Sequence, residues 1–163
     1  MTQPIRIGMT VVLATLAFGA APSQAADKAA VKKVLAGQSC ERCDLTGANL
    51  SGQPLLIALD NADLTRANLT GADMAGASLA HADLTSAKLN QAYLVGAKLN
   101  GADLTKADLT GANFTNANLT GADLTGAALA GADFSGATWI DGSKCDKDSF
   151  AACKVGGVAK PNP

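Results

Sequence analysis

Alanine recurs at every fifth position from Ala62 to Ala137, sixteen times without a gap. Two residues after each alanine stands a large apolar residue, which is Leu or Met thirteen times, Phe at positions 114 and 134, and Trp at position 139. The unit reads Ala-(Asp/Asn)-Leu followed by two small or polar residues, and it fills about half of the chain. An internal period of this kind constrains the architecture before any single residue does.

Neither regular secondary structure can bury this five-residue pattern. On an α-helix, a step of five residues turns by about 140°, so Leu64, Leu69 and Met74 would point to different sides. On a continuous strand, an odd spacing would send successive leucines to opposite faces. Three extended residues followed by a bend place alanine and leucine inside, and repetition builds coils that stack at about 4.8 Å. The sequence therefore predicts an all-β solenoid, stabilised by contacts between neighbouring coils.

The units from Cys43 to Asp141 resemble the pentapeptide-repeat family, whose unit is written A(D/N)LXX. The resemblance implies a right-handed quadrilateral β-helix in which four units form one coil of twenty residues. The chain itself also supports a period of twenty, since Phe114 and Phe134 are that far apart. Ala-Asp-Leu-Thr opens the units at Ala62, Ala82, Ala102 and Ala122.

Upstream of the long run the repeat frame slips once. The first unit of the Ala-Asp-Leu-Thr type begins at Cys43, nineteen rather than twenty residues before Ala62. We expect the segment 53–57 to absorb the missing residue. About five coils result, and they form a rod on the order of 24 Å long at strand spacing.

The first 25 residues have the composition of a secretory signal peptide. Arg6 is followed by an apolar run from about Ile7 to Ala21 and by Ser23-Gln24-Ala25, so we expect cleavage after Ala25. The run of about fifteen residues is short for a membrane span, which needs roughly twenty; an uncleaved anchor is the alternative. Cleavage removes one cation, Arg6, and changes the net charge from −1 to −2. This balance indicates neither nucleic acid nor an anionic membrane surface as a partner.

Both ends of a solenoid need a cover, since an exposed strand edge invites aggregation. Residues 27–35 have the apolar spacing of a short helix, with one side formed by Ala30, Val31, Val34 and Leu35. We therefore predict four parts, which are a signal peptide at 1–25, an N-terminal cap with a short helix at 26–42, the β-helix at 43–141, and a C-terminal cap and tail at 142–163.

Four cysteines fall into two pairs at opposite ends of the rod, Cys40 with Cys43 and Cys145 with Cys153. An even number of cysteines in an exported chain favours disulfides, and we predict one at each end. Exported members of the resembled family look similar. The Cys-x-x-Cys spacing could instead indicate a thiol oxidoreductase, but such a motif should open a helix after a strand. A zinc site would need all four sulfurs about 2.3 Å from one ion, and the length of the rod prevents this.

The sequence offers no set of residues for nucleophilic catalysis. Its single histidine, His81, is expected at a solvated corner, without a second imidazole or a suited Ser or Cys partner. Glycine recurs at the corner position of the unit, but Arg66 and Lys106 occupy the same position. We therefore expect that a positive φ is not obligatory at corners. No catalytic residue, metal site or cofactor is predicted.

A coil of twenty residues aligns one aspartate from each coil on a single face. We call this column the acidic ladder, and its members are Asp44, Asp63, Asp83, Asp103 and Asp123. Carboxylates about 4.8 Å apart repel one another, so some of their pKa values are expected to rise. The ladder could bind hard cations such as Ca²⁺ or act as an acidic docking strip. The alternative is a column of solvated repeat residues whose negative charge is partly balanced by Arg66 and Lys106.

A second candidate surface lies on the third face of the coil. It comprises Pro54 and Leu56 in the first coil, and Tyr93 and Val95 in the third. Tyr93 is the single tyrosine and stands where the unit usually has Asp or Asn. Grouped apolar side chains on a surface mark partner sites, and tyrosine is enriched at interface hot spots. Alternatively, Pro54 and Leu56 only accommodate the frame slip and Tyr93 is an isolated substitution.

These features favour a non-enzymatic periplasmic or secreted scaffold that binds proteins through the outer faces of the rod. We expect no nucleic-acid partner and no stable membrane insertion after signal removal, and the oligomeric state stays open. The resemblance implies one alternative, because some pentapeptide-repeat proteins look like duplex DNA and bind type II topoisomerases, protecting them from quinolones. The export signal, the mild charge and the cysteine-stapled C-terminus count against it. A thiol redox protein is the second alternative.

Overall fold

The computed structural model of the protein describes residues 25–161, so the predicted signal peptide lies outside the described residues except for its last position. One α-helix, α1, spans Lys28–Leu35. Two short strands, β1 at Lys154–Val155 and β2 at Val158–Ala159, pair antiparallel near the C-terminus. No helix within residues 25–161 is long and apolar enough to cross a membrane.

Between these elements the chain forms a solenoid held by single parallel β-bridges. From Ala58 onward each parallel bridge joins residues twenty apart, as in Asp63 to Asp83 and Asp83 to Asp103, whereas the three bridges before it join residues nineteen apart. The Leu84 N–H donates to the Asp103 carbonyl at 2.7 Å, and the Asp103 N–H donates to the Ala82 carbonyl at 3.0 Å. Because only three residues per unit are extended, each side of the coil contributes one bridged residue rather than a long strand. The predicted period of twenty is confirmed.

Four columns of bridged residues define four faces, which we number in chain order. Face 1 carries the acidic ladder, and face 2 carries Asn49, Asn68, Lys88, Asp108 and Ala128. Face 3 carries Pro54, Asp73, Tyr93, Asn113 and Asp133. Face 4 carries Ala58, Ser78, Lys98, Asn118 and Thr138. The bridged side chains point outward, whereas the alanine before each one and the large apolar residue after it point inward.

The interior of the coil is a continuous apolar column. From Leu45 to Leu119 the inward leucines are fully buried, and the inward alanines are at most slightly exposed. At the C-terminal end the column becomes aromatic. Phe114 and Phe134 stack with ring centroids 5.2 Å apart, and Trp139 meets Phe134 edge-on at 5.0 Å. The predicted alternation of inward and outward residues is confirmed.

The corners correct one sequence-based expectation. Arg66, His81 and Lys106 do have positive φ, at 58°, 57° and 59° respectively, as do the glycines at equivalent positions. Each corner is a tight turn in which the alanine N–H that follows donates to the preceding leucine carbonyl, for example Ala67 to Leu64 at 2.9 Å. A turn with positive φ at its third residue is of type II. Positive φ is therefore a requirement of the corner, and polar unbranched side chains tolerate it alongside glycine.

The frame slip lies between Pro54 and Ala58. Pro54 bridges Asp73, nineteen residues on, whereas Ala58 bridges Ser78, twenty residues on. The unit that begins at Gln53 is therefore one residue short, as the sequence predicts. The corner after Pro54 consists of Leu56 alone and lacks a residue with positive φ, because Ile57 already takes the inward position before the bridged Ala58 and packs against the core.

Helix α1 lies against the first coil. Asp27 is its N-cap, with a carboxylate that accepts the Ala29 N–H at 2.9 Å. The Asp27 N–H in turn donates to the Asp44 carbonyl at 3.0 Å. Ala30 and Val34 are buried against the apolar column, but Leu35 is 50% exposed. The expectation that Leu35 lies on the buried side is wrong, because the buried side of the helix is centred on Ala30 and Val34, and Leu35 lies about 100° around the axis from Val34.

Beyond the last coil the chain reverses and pairs antiparallel with it. Phe150 bridges Asp133 on face 3, and Lys144 bridges Thr138 on face 4. The tail then forms the β1–β2 hairpin and returns to the corner before face 1, where Lys160 meets the Asp141 carboxylate at 2.8 Å. This segment covers the aromatic end of the core on two of the four faces.

Candidate interaction surface

Disulfides join both predicted cysteine pairs, one at each end of the solenoid. Cys40 bonds Cys43 with their Cα atoms 5.5 Å apart, and Cys145 bonds Cys153 with Cα atoms 5.1 Å apart. Cys40, rather than Cys43, is the fully buried member of the first pair. The Cys-x-x-Cys segment follows α1 and opens no helix. It therefore lacks the helix N-terminus that lowers the pKa of a redox-active thiol.

The carboxylates of the acidic ladder stabilise the turns that follow face 1. Each of them accepts the backbone N–H two residues ahead, at distances from 2.8 Å for Asp123 to 3.0 Å for Asp44. This bond fixes the start of the type II turn, in the manner of an Asx turn. Hydrogen bonds from the Thr125 hydroxyl and backbone hold the pKa of Asp123 below its ordinary value. At Asp123 the pKa therefore changes in the direction opposite to the expected rise, because these hydrogen bonds stabilise the ionised carboxylate.

Neither metal-binding nor catalytic geometry is found among the described residues. In residues 25–161 no group of three or more His, Cys, Asp or Glu side chains is placed to hold a metal ion. His81 is an exposed corner residue. Its imidazole lies over the corner of the next coil, where a Cβ added to Gly101 would approach Nδ1 to 2.5 Å. These positions give the ladder and the histidine structural roles at corners.

Face 3 carries the apolar side chains that the sequence singles out. Leu56 is 59% exposed, Tyr93 is 56% exposed and Val95 is 37% exposed. Pro54 is also exposed, at the first position of the same column. The first and third coils are about 9.6 Å apart at strand spacing, and the exposed Asp73 lies between them. The four residues thus share one face, in two groups separated by one coil.

The structure adds Phe150 to this face, a residue that the sequence analysis misses. Phe150 bridges Asp133 and is 53% exposed, so its ring extends the column of face 3 beyond the last coil. Face 3 consequently bears Leu56, Tyr93, Val95 and Phe150, whereas the other large exposed apolar side chains of the described residues are Leu35 and Val158. No repeat signal could place Phe150 here, because the tail reverses direction after Trp139.

A notch opens beside Tyr93, at the corner between faces 2 and 3. Its volume is about 410 Å³. Tyr93 and Gln91 form its walls, Gly71 and Gly111 leave space above and below Gln91, and Asn113 and Asp133 lie farther along the column. The notch combines an aromatic wall with amide and carboxylate groups, which is the mixture of apolar contact and polar anchoring found at binding sites.

The repeats match the family model for pentapeptide repeats, with eight copies over residues 62–101 and 97–136. The chain is 39% identical to HetL of Nostoc sp. strain PCC 7120, a pentapeptide repeat protein involved in heterocyst differentiation regulation, with a TM-score of 0.62. It is 38% identical to the pentapeptide repeat protein Rfr23 of Cyanothece 51142, with a TM-score of 0.48. This chain is a member of the pentapeptide-repeat family, and its solenoid is the right-handed β-helix of that family.

The extent of these matches is partial. The match to HetL covers 66% of this chain and 52% of HetL, so the chain spans about half the length of that relative. The match to Rfr23 covers 56% of this chain and 59% of Rfr23. A third pentapeptide repeat protein, from Nostoc PCC 7120, is 30% identical over 67% of this chain and 76% of its own, with a TM-score of 0.45. No curated protein matches the chain.

Proposed function

We propose that the protein is a non-enzymatic scaffold that binds a partner protein through face 3. The supporting observation is that four of the six large exposed apolar side chains in residues 25–161 lie on this one face, namely Leu56, Tyr93, Val95 and Phe150. Proteins of this family generally have structural or interaction roles. Face 3 also bears the notch beside Tyr93, into which a side chain of the partner can insert.

The arrangement along face 3 suits a flat protein surface better than a small molecule. Tyr93 and Phe150 lie about three coil spacings apart, or roughly 14 Å, with Asn113 and Asp133 between them. An interface with apolar anchors and intervening polar groups matches the usual mixture of hot spots and hydrogen-bonding residues. The rigid column keeps the anchors at fixed spacing, which lowers the entropy cost of binding.

We propose further that the chain consists of five coils closed by a cap at each end, with α1 and the Cys40–Cys43 disulfide at one end and residues 142–163 at the other. Five successive ladder residues support the count of coils. Burial of Ala30 and Val34 against the first coil, and of Cys145 and Cys153 at the last, supports the caps. We propose boundaries at 25, 42 and 141 for these parts.

The proposed location is the periplasm or the exterior. Two disulfides support it, because such bonds persist in oxidising compartments, and so does the signal-like composition of residues 1–25. A reporter fused at Ala26 tests this directly. Export excludes the topoisomerase-binding alternative, whereas retention in the cytoplasm would revive it and contradict the proposed location.

Substitution of Tyr93 by Asp tests the proposed role of face 3. Asp is the usual residue of this position in the repeat, so the fold should tolerate Tyr93→Asp while the partner loses its aromatic anchor. Asn118→Asp, at the same repeat position on face 4, makes the same change in charge and serves as the control. We expect partner capture from the periplasm to fall with Tyr93→Asp alone. Undiminished capture would refute the assignment of face 3.

A further inference from the structure

The last coil is left open along two of its four faces. In the earlier coils, apart from the short corner after Leu55, the N–H groups of the inward apolar residue and of the corner residue donate to the next coil, as Leu104 does to Asp123 at 2.7 Å and Lys106 to Thr125 at 2.9 Å. In the last coil, several groups on faces 1 and 2 have no partner among residues 25–161: the N–H groups of Leu124, Gly126, Leu129 and Gly131, and the carbonyls of Ala122 and Ala127. We call residues 122–131 the open edge.

The two other faces of the same coil show how this edge is completed. On face 3, the Phe134 N–H donates to the Ser149 carbonyl at 2.8 Å, and the Ala151 N–H donates to the Ala132 carbonyl at 2.7 Å. On face 4, the Trp139 N–H donates to the Ser143 carbonyl at 2.7 Å. The chain therefore supplies an antiparallel layer over faces 3 and 4. That layer stops at Ala151, at the corner where face 2 begins.

The opposite end of the solenoid is protected on faces 1, 3 and 4. The Cys40 and Arg42 N–H groups donate to the Ala58 and Asp60 carbonyls at 2.8 and 3.0 Å, and α1 packs against the core there. On face 3 the first coil presents Pro54, which has no N–H to offer to a further strand. Natural proteins protect sheet edges by covers and prolines of this kind. At the open edge the inward side chains are largely buried, but neither a paired strand nor a proline protects the backbone groups named above.

We propose that the open edge binds an extended, basic peptide segment of a partner protein as an added antiparallel strand. Strand addition at an exposed edge draws its affinity from main-chain hydrogen bonds and its specificity from alternate side chains. Inward side chains of the partner would cover Leu129, which is 8% exposed while Leu109 below it is fully buried. Such a strand continues the antiparallel layer that residues 143–151 begin.

Charge selects a basic partner. The last two coils of faces 1 and 2 carry Asp103, Asp108 and Asp123 against a single cation, Lys106. Outward side chains of an added strand alternate with the inward ones and run directly beside these carboxylates. Opposite charges on adjacent strands stabilise the pair, and like charges destabilise it.

Amide hydrogen exchange measured by NMR on the disulfide-bonded protein tests the proposal. The probe is a capped peptide of alternating Val and Lys, about eight residues long, with a Val and Glu peptide of the same length as its control. At a peptide concentration ten times its dissociation constant, exchange at the amides of Leu124, Gly126, Leu129 and Gly131 should slow roughly tenfold. The amides of Leu104, Lys106, Leu109 and Gly111, which are already bonded one coil below, should not change.

Three outcomes would overturn the proposal. In the first, the Val and Lys peptide leaves exchange at the open edge unchanged or protects a different surface. In the second, the Val and Glu peptide protects the edge equally well, which contradicts a basic partner. In the third, the edge is protected without peptide and increasingly so at higher protein concentration, which identifies a second copy of this chain as the occupant. The proposed site is independent of face 3, so Tyr93→Asp should bind the peptide as the unchanged protein does.

Discussion

The corner residues show how a five-residue unit selects amino acids by backbone conformation rather than by volume. Their side chains point into solvent, but the type II turn holds their φ near +60°. For residues other than glycine, the left-handed region costs roughly 1–2 kcal/mol. The chain accepts this cost at Arg66, His81, Lys106 and other polar corners. Among residues 25–161, no β-branched residue has a positive φ.

Corner glycines should therefore be harder to replace than corner residues that already carry a side chain. Gly96 has φ +66°, and an added Cβ would meet nothing within 4 Å. Gly96→Ala therefore measures only the free-energy cost of holding a residue with a side chain at positive φ. We expect it to lower the free energy of unfolding by about 1 kcal/mol. Lys106→Ala leaves the left-handed strain unchanged and should alter stability by less than about 0.5 kcal/mol. Chemical denaturation measures both, and equal losses would contradict this account of the corner.

The inward alanines are restricted by volume instead. Ala102 is 1% exposed in the middle of the column, between leucines of its own coil and of its neighbours. Ala102→Leu should overpack this coil and cost roughly 1–3 kcal/mol. Thr105→Leu, three residues on and facing outward, should cost less than about 0.5 kcal/mol. Thermal or denaturant unfolding of the two variants tests which position faces the core. Similar losses of stability would contradict the inward assignment of Ala102 and the outward assignment of Thr105.

Among the elements, those at the two ends differ in how well the sequence predicts them. Local apolar spacing predicts the helix α1, and the predicted range 27–35 differs from Lys28–Leu35 by one residue. The exposure of Leu35 does not follow from the spacing, because an apolar stripe of four residues does not show which of its two borders faces the coil. The antiparallel return of residues 143–151 has no local signal at all. It depends on long-range pairing with faces 3 and 4.

The return of the tail depends in part on ionised Asp141. Hydrogen bonds from Lys160 and from Ser143 hold the pKa of Asp141 well below its ordinary value of 3.8. A carboxyl whose pKa is lowered by folding stabilises the fold above its unfolded pKa, and this contribution is lost as pH falls through the folded pKa. We expect acid titration to release the tail, seen by NMR as loss of the bonded Lys160 amide.

Asp141→Asn provides the control for that titration. The amide keeps the shape of the side chain but carries no charge to attract Lys160 and has no proton to gain in this range. The variant should show a looser tail at neutral pH and little further change in acid. A tail that detaches at the same pH in both proteins would show that another group controls it.

At the scale of the whole molecule, the architecture could be predicted from the five-residue period because each coil repeats the same local backbone conformation. The alanine column, the ladder of Asp63 and Asp83, and the register of twenty all follow from one unit copied along the chain. The candidate surface could be predicted only in part. Tyr93 can be recognised in the sequence as a departure from the repeat. Phe150 and the open edge at 122–131 lie where the repeat ends, and their positions depend on the tertiary packing of the tail, which the repeat does not determine.

The rod has four similar sides, and we propose that one of them, face 3, binds the partner protein. Photo-crosslinking in intact cells that produce the protein tests this most directly. A benzoylphenylalanine probe is placed in turn at Asp83, Lys88, Tyr93 and Lys98, which occupy the same repeat position of one coil on faces 1 to 4. We predict a discrete crosslinked partner at position 93 and none at the other three. Equal crosslinking on all four faces, or a partner captured only away from face 3, would contradict the account.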